Sequence, residues 1–196
     1  MTEPVSVDNI KIHLRLPAGA GAEDAYLAAL ITGARAACEL RIGRAIIGKA
    51  AAVTLDAFPA YLVTSTVTRN PRNLDLTLPG GTVTSIDEIS WRHASGDWIA
   101  VEPDEYIADL TRAPARVAPV TSWPIAGPGP GAVIITYTLS PLDADELAIV
   151  GHAIRLIVGN WYSNREADVI DTRGTPTELP TGVKWLLEPL RQIPGA

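Results

Sequence analysis

The chain has 196 residues, 47% hydrophobic and 19% charged, a globular composition long enough to bury a core and unlike a disordered tract. Its net charge is −6, its pI is about 5.0, and no basic run is present. Such a chain is poorly built to grip phosphates, so it excludes nonspecific nucleic-acid binding and would meet nearby DNA as a repelling wall.

Ser6 is placed as an N-cap, with Val7, Ile10 and Leu14 at helical spacing and Pro17 ending a short first helix. Glu23 and Asp24 open a second helix, where acidic groups favour the positive dipole end. Leu27, Leu30, Ile31, Ala34, Ala37 and Cys38 share one face of it, Leu40 and Ile42 extend its apolar surface, and Gly43 is the expected C-cap. From Gly48 to Leu139 the signal turns to short strands. They are expected at 51–55, at the alternating Leu74, Leu76 and Leu78, at 82–92, 97–101 and 106–110, and at 132–139. His93 to Gly96 read as a hairpin turn, with Trp91 and Trp98 expected to pair across it. Trp123-Pro124 and Gly127-Pro128-Gly129-Pro130-Gly131 read as an exposed loop. Asp143, Asp145 and Glu146 start a long third helix to about Tyr162, with Leu147, Val150, Ile154, Ile157 and Trp161 as its stripe. Ile149, Leu156 and Val158 fall off that stripe, which makes the helix central or shared with a partner. A polar loop or arm follows at 163–181. The last short helix is expected at 182–190, with Pro189 near its end. The fold class is therefore α+β: a core of about four helices with a β-rich insertion between the second and third. One domain is expected, made of a helical N-terminal segment (1–47), a β-rich insertion (48–140) and a helical C-terminal segment (141–196).

No residue set reads as a catalytic, cofactor or metal site. Gly43 to Ala50 nearly matches a phosphate-binding loop, but Ala50 stands where Ser or Thr would hold Mg²⁺, and the element order is helix then strand. The prolines between Gly127, Gly129 and Gly131 remove the N–H donors a dinucleotide loop needs. His13, His93 and His152 have no partner at metal-ligand spacing; His13 and His93 read as surface residues, and His152 as a packed or interface side chain. Ser95 and Ser140 lack a nucleophile-elbow context, and the carboxylates at 143, 145 and 146 read as a helix cap. The single cysteine, Cys38, excludes an intramolecular disulfide and suits a reducing compartment. Residues 1–8 carry no signal pattern, and no apolar run reaches the roughly 18 residues of a membrane span, so a cytoplasmic product is expected.

Four stretches carry a whole-chain resemblance: "EPVSVDNIKIHLRL" from Glu3, "DAYLAALITGARAACELRIGRAI" from Asp24 leading into "VTLDAFP", "SWPIAGPGPGAVIITY" from Ser122, and "HAIRLIVGNWYSNREA" from His152 followed by "LPTGVKWLLEPLR" from Leu179. In order and spacing they resemble the head–tail connector (adaptor, or head-completion) proteins of tailed phages and gene transfer agents. The resemblance implies a non-enzymatic virion subunit, made in the bacterial cytoplasm, without a cofactor or a membrane. It implies a homo-oligomeric ring of about a dozen copies, docked on the portal above and on a stopper or tail-terminator protein below. DNA passes through the lumen without specific binding. Interface residues are then expected at Trp161, Tyr162, Asn164, Arg165, Glu166, Trp185, Leu186, Leu190 and Arg191. The arm at 163–181 and the last helix are expected to reach a neighbour or the portal. A monomeric accessory protein binding a partner through the β insertion is the alternative.

Overall fold

The computed structural model describes residues 3–19, 21–59, 74–164 and 181–192. The first helix, α1 (Val7–Leu14), begins where Ser6 Oγ accepts the Asn9 N–H. It ends at Arg15, which takes the left-handed conformation (φ 58°) before Pro17 is reached. The N–H groups of Arg15 and Leu16 return to the Ile12 and Lys11 carbonyls, so local backbone pairing closes the helix. Gly43, at φ 70°, likewise closes α2 (Asp24–Ile42) with its N–H on Glu39 O.

Leu27, Ile31, Ala34, Cys38 and Ile42 of α2 are buried at steps of three and four residues. Leu40 departs from expectation and is 85% exposed. It lies two residues from both Cys38 and Ile42, about 200° round the helix from each, so it cannot share their face. The third helix, α3 (Ala144–Ser163), starts at a complete capping box. Asp143 accepts the Glu146 N–H, and Glu146 reaches back to the Asp143 N–H. It buries Val150, Ala153, Ile154, Ile157 and Val158. The last helix, α4 (Thr181–Leu187), passes into a 3-10 turn at Glu188–Leu190, where Pro189 removes the amide that α-helix would need. Val5, Ile10 and the buried faces of α2, α3 and α4 form one apolar core.

The β-rich segment lies between α2 and α3, so the fold is α+β as expected. The described strands are β1 (Lys49–Leu55), β2 (Leu76–Leu78), β3 (Val83–Arg92), β4 (Trp98–Ala100), β5 (Tyr106–Asp109), β6 (Ala115–Pro119) and β7 (Val133–Leu139). They form two antiparallel sheets, ordered β1-β7-β3-β4 and β2-β6-β5. Val133, Ile135, Tyr137 and Leu139 of β7 alternate into the core of this unit.

Three expectations here are corrected. Strand β6 was not anticipated, because Pro114 precedes it and Pro119 is its last residue; as the centre of its sheet it pairs on both sides. Trp91 and Trp98 do not pair: Trp91 faces Ile99 and Trp98 faces Arg92, so the two rings lie on opposite faces of the sheet. The Gly-Pro segment is not wholly exposed, for Gly127 is buried. Its N–H donates to Arg92 O at 2.6 Å, and a Cβ there would fall 2.7 Å from His93 O. Only glycine permits that approach.

The described residues divide into two compact units. One joins those up to Ile47 with those from Leu142 onward; the other is Gly48–Pro141.

Candidate interaction surfaces

Structure gives the chemical candidates local jobs. Gly43 is a helix cap, and Lys49, the lysine of the loop-like motif, begins β1. Arg44 forms a two-pronged pair with Glu146, at 2.7 and 3.1 Å, in partial burial. Glu146 is therefore committed twice, to its helix cap and to Arg44. Ser95 does meet a histidine and an aspartate: its Oγ is 2.9 Å from His93 Nδ1 and donates to Asp97 Oδ2 at 2.7 Å. Serine sits between the other two, however, so the carboxylate cannot orient the imidazole as a nucleophile's base requires. All three lie exposed in one tight turn. Ser140 spends its hydroxyl on Pro141 O. Burial in α2 pushes the Cys38 thiol up to about 12, away from the reactive thiolate. Among the described residues no group of three His, Cys, Asp or Glu could hold a metal, and no helix is long and apolar enough to cross a membrane.

His152 is exposed, not packed. His13 is also exposed, and its ring lies over Gly159, where a Cβ would come 3.4 Å from Nε2. Ile149 is 37% exposed, Leu156 is half-buried against the core, and Val158 is fully buried, so the third helix spends most of its off-stripe surface internally.

The expected interface residues separate into two groups. Trp161 and Tyr162 are half-buried against the helical core. The Trp161 ring covers Gly33, and the Tyr162 hydroxyl donates to Glu23 while its ring tilts against Tyr26 at 6.4 Å. Asn164 caps α3, its side-chain amide donating to Asn160 O. Arg165 and Glu166 lie outside the described residues. Leu186 is half-buried and Leu190 is buried, both facing inward, while Arg191 is exposed and pairs with Glu188.

Trp185 differs from all of these. It is 81% exposed although Val183 and Leu187, two residues either side, are buried. A helix that buries one face must turn position 185 outward, and here an indole fills it. With Lys184, Glu188 and Pro189 it lines an open groove of about 480 Å³. Arg41 of α2 binds Glu188 at 2.9 Å, bracing this face. Leu40, next to Arg41 in sequence, is the other large apolar side chain among the described residues of this unit that is more than 80% exposed. In the β unit, Ile125 is 92% exposed beside the buried Trp123. Trp123 stacks on Phe58 at 4.8 Å and donates from Nε1 to Leu74 O at 2.8 Å. A separate cleft of about 520 Å³ is lined by Trp91, Ile99, Glu102, Glu105 and Trp123 among others. Ile125 escaped sequence reasoning, and Leu40 was read there as part of the apolar surface of its helix and not as an exposed residue. The available signal was an apolar side chain off the helical stripe in one case and inside a proline-rich turn in the other.

Among the described residues these geometries offer surfaces for protein contacts. No family model matches the chain, and no curated protein matches it either. Solved structures do. A chain in the neck of an empty gene transfer agent (GTA) particle, computed with C6 symmetry, is 24% identical; the match covers 98% of this chain and 93% of that one, with a TM-score of 0.70. A chain in the virion of a native GTA particle is 24% identical over 98% and 93%, with a TM-score of 0.67. A third, in the neck of a native GTA particle computed with C12 symmetry, is 23% identical over 97% and 91%, with a TM-score of 0.62. The chain shares the fold of these proteins.

Proposed function

We propose that the chain is a structural neck subunit of a phage-like particle: a head–tail adaptor that forms a ring beneath the portal, without catalytic activity. One observation carries the reading. The fold likeness runs through almost the full length of this chain and of the GTA neck chain, at 98% and 93%, so it includes both helical ends and the β insertion. The ordered sequence stretches described above support the same family. About twelve copies are expected in the ring; the GTA necks that hold the similar chains were computed with C6 and with C12 symmetry, and a twelve-membered ring is compatible with both. The ring joins the portal above to a stopper or tail-terminator protein below. A net charge of −6 suits a lumen through which DNA moves without being held. The exposed Trp185 groove fits this role as an anchor site, because tryptophan is enriched where interfaces bury their centres.

Electron microscopy of the protein mixed with the portal from the same gene cluster tests the proposal. An annulus of this subunit on the portal is expected. Trp185→Ser should leave the subunit folded and weaken its docking at least tenfold, in line with loss of about 2 kcal/mol at an aromatic hot spot. A subunit that stays monomeric with the portal at every concentration would overturn the proposal.

A further inference from the structure

The cleft that holds Trp91 and Trp123 brings aromatic and acidic side chains together in the β unit. Its volume, about 520 Å³, lies within the range of about 300–1,000 Å³ that ligand pockets occupy. Trp91 and Ile99 stand opposite each other in the β3–β4 pairing, so their side chains share one face of the sheet. Trp91 is half-buried and Ile99 is 41% exposed, which leaves both partly open to a partner. Trp123 is held in place by its stack on Phe58 and its bond to Leu74 O. Glu102 and Glu105 are exposed, and a reciprocal turn sets them. The Glu105 N–H donates to Glu102 O at 3.0 Å, and the Glu102 N–H donates to Glu105 Oε2 at 3.1 Å. Val120 N–H donates to Glu105 O at 2.9 Å and ties this turn to the chain leaving β6. Backbone bonds therefore fix where both glutamates enter the cleft.

We propose that this cleft receives an arginine side chain from a segment of a different, basic protein. An aromatic cleft alone would take an apolar side chain, and two exposed carboxylates alone would take any cation weakly, through screened charge. The two together select guanidinium. It is planar, stacks on an indole, is more weakly hydrated than an ammonium, and meets a carboxylate with forked donors. The stretch that brings the carboxylates supplies no cation of its own, since no lysine or arginine falls between Trp98 and Thr111. A second copy of this chain is a poor source. The chain carries a net charge of −6, so copies repel. In the helical unit Arg35, Arg41, Arg44 and Arg191 already pair with carboxylates of their own chain. Charge complementarity therefore points to a partner richer in arginine than this chain.

Titration of the isotope-labelled full chain with the peptide acetyl-Gly-Arg-Gly amide, followed by two-dimensional NMR, decides it. Lysine and citrulline counterparts of the peptide are titrated alongside. The expected result is a saturable shift of the Trp91 indole N–H and of the amides of Ile99, Glu102 and Glu105. The lysine peptide should bind about threefold more weakly or worse, because an ammonium neither stacks nor forks. The citrulline peptide, which keeps the shape and loses the charge, should give no saturable shift. The double variant Glu102→Gln/Glu105→Gln should weaken the arginine peptide about tenfold. It changes two exposed side chains, and the glutamine carbonyl at 105 can still accept the Glu102 N–H, so the turn is kept. Citrulline binding equal to arginine, lysine binding equal to arginine, or unchanged affinity in the double variant would each overturn the proposal. So would the absence of any saturable shift at the cleft. If the unmodified chain self-associates in sedimentation and the double variant does not, the cleft takes another copy and the proposal falls. No step uses the portal or a ring, so failure here leaves the neck reading standing, and failure of that reading leaves this result unaffected.

Discussion

Glu146 offers the sharpest test of how the helical unit is held. Its carboxylate accepts two hydrogen bonds from Arg44 and also reaches the Asp143 N–H at 3.3 Å, while its own N–H is capped by Asp143 at 2.8 Å. Asp143→Ala removes only the cap, a loss of about 1 kcal/mol. Glu146→Ala removes the return bond and leaves the Arg44 guanidinium, 18% exposed, without its counter-charge. Charge-assisted bonds in such partial burial are worth about 1.5–3 kcal/mol, which solvent screening at 22% exposure of Glu146 brings toward the lower end. The sum is about 2–3 kcal/mol, or roughly 4–10 °C in melting midpoint for a chain of this size. Urea unfolding followed by far-UV circular dichroism measures both variants. A double-mutant cycle with Arg44→Met isolates the pair, with a coupling of about 1–2 kcal/mol expected. The reasoning is refuted if Glu146→Ala costs no more than Asp143→Ala, or if the cycle returns zero. Either result would make the pair an ordinary screened surface contact.

Trp123→Phe keeps the stack on Phe58 but orphans the Leu74 carbonyl; it should destabilise the β unit by about 1–3 kcal/mol, read from its urea midpoint. Gly127→Ala drives a Cβ into the His93 and Arg92 backbone and should cost about 1–3 kcal/mol by the same assay, whereas Gly96→Ala, with open space around it, should suffer only from its positive φ. In the helical unit, the hydrogen bond from the buried Lys11 ammonium holds the Asp24 carboxyl below its usual value of 3.8. A depressed folded-state pKa adds stability above the unfolded value, and that share is lost as pH falls through the folded one. Lys11→Met should abolish this share of the acid-side decline, measured as unfolding midpoints between about pH 5 and pH 2.

The helices were legible in the sequence because their signals are local. Ser6, Gly43 and the Asp143–Glu146 box act within one turn of chain, and the buried stripes of α2 and α3 repeat at a spacing that a backbone of fixed pitch must turn to one side. The position of the β-rich segment followed from element order alone. Strand partners were harder. The register that puts Trp91 opposite Ile99 and not Trp98 depends on a five-residue turn, and a slip of one position reverses every face.

Sequence by itself thus decided the α+β class, the start of α1, the C-cap of α2, the N-cap of α3 and the buried stripes of α2 and α3, since each rests on neighbours within a few residues. Only tertiary structure decided that β6 joins two strands despite Pro114 before it and Pro119 at its end, that Gly127 is buried against the Arg92–His93 backbone, and that Trp161 and Tyr162 pack inward while Trp185 faces out. Those outcomes depend on which distant surfaces meet. An indole has the same hydrophobicity in a core as on a rim, and only its surroundings determine whether it stabilises the fold or stands exposed.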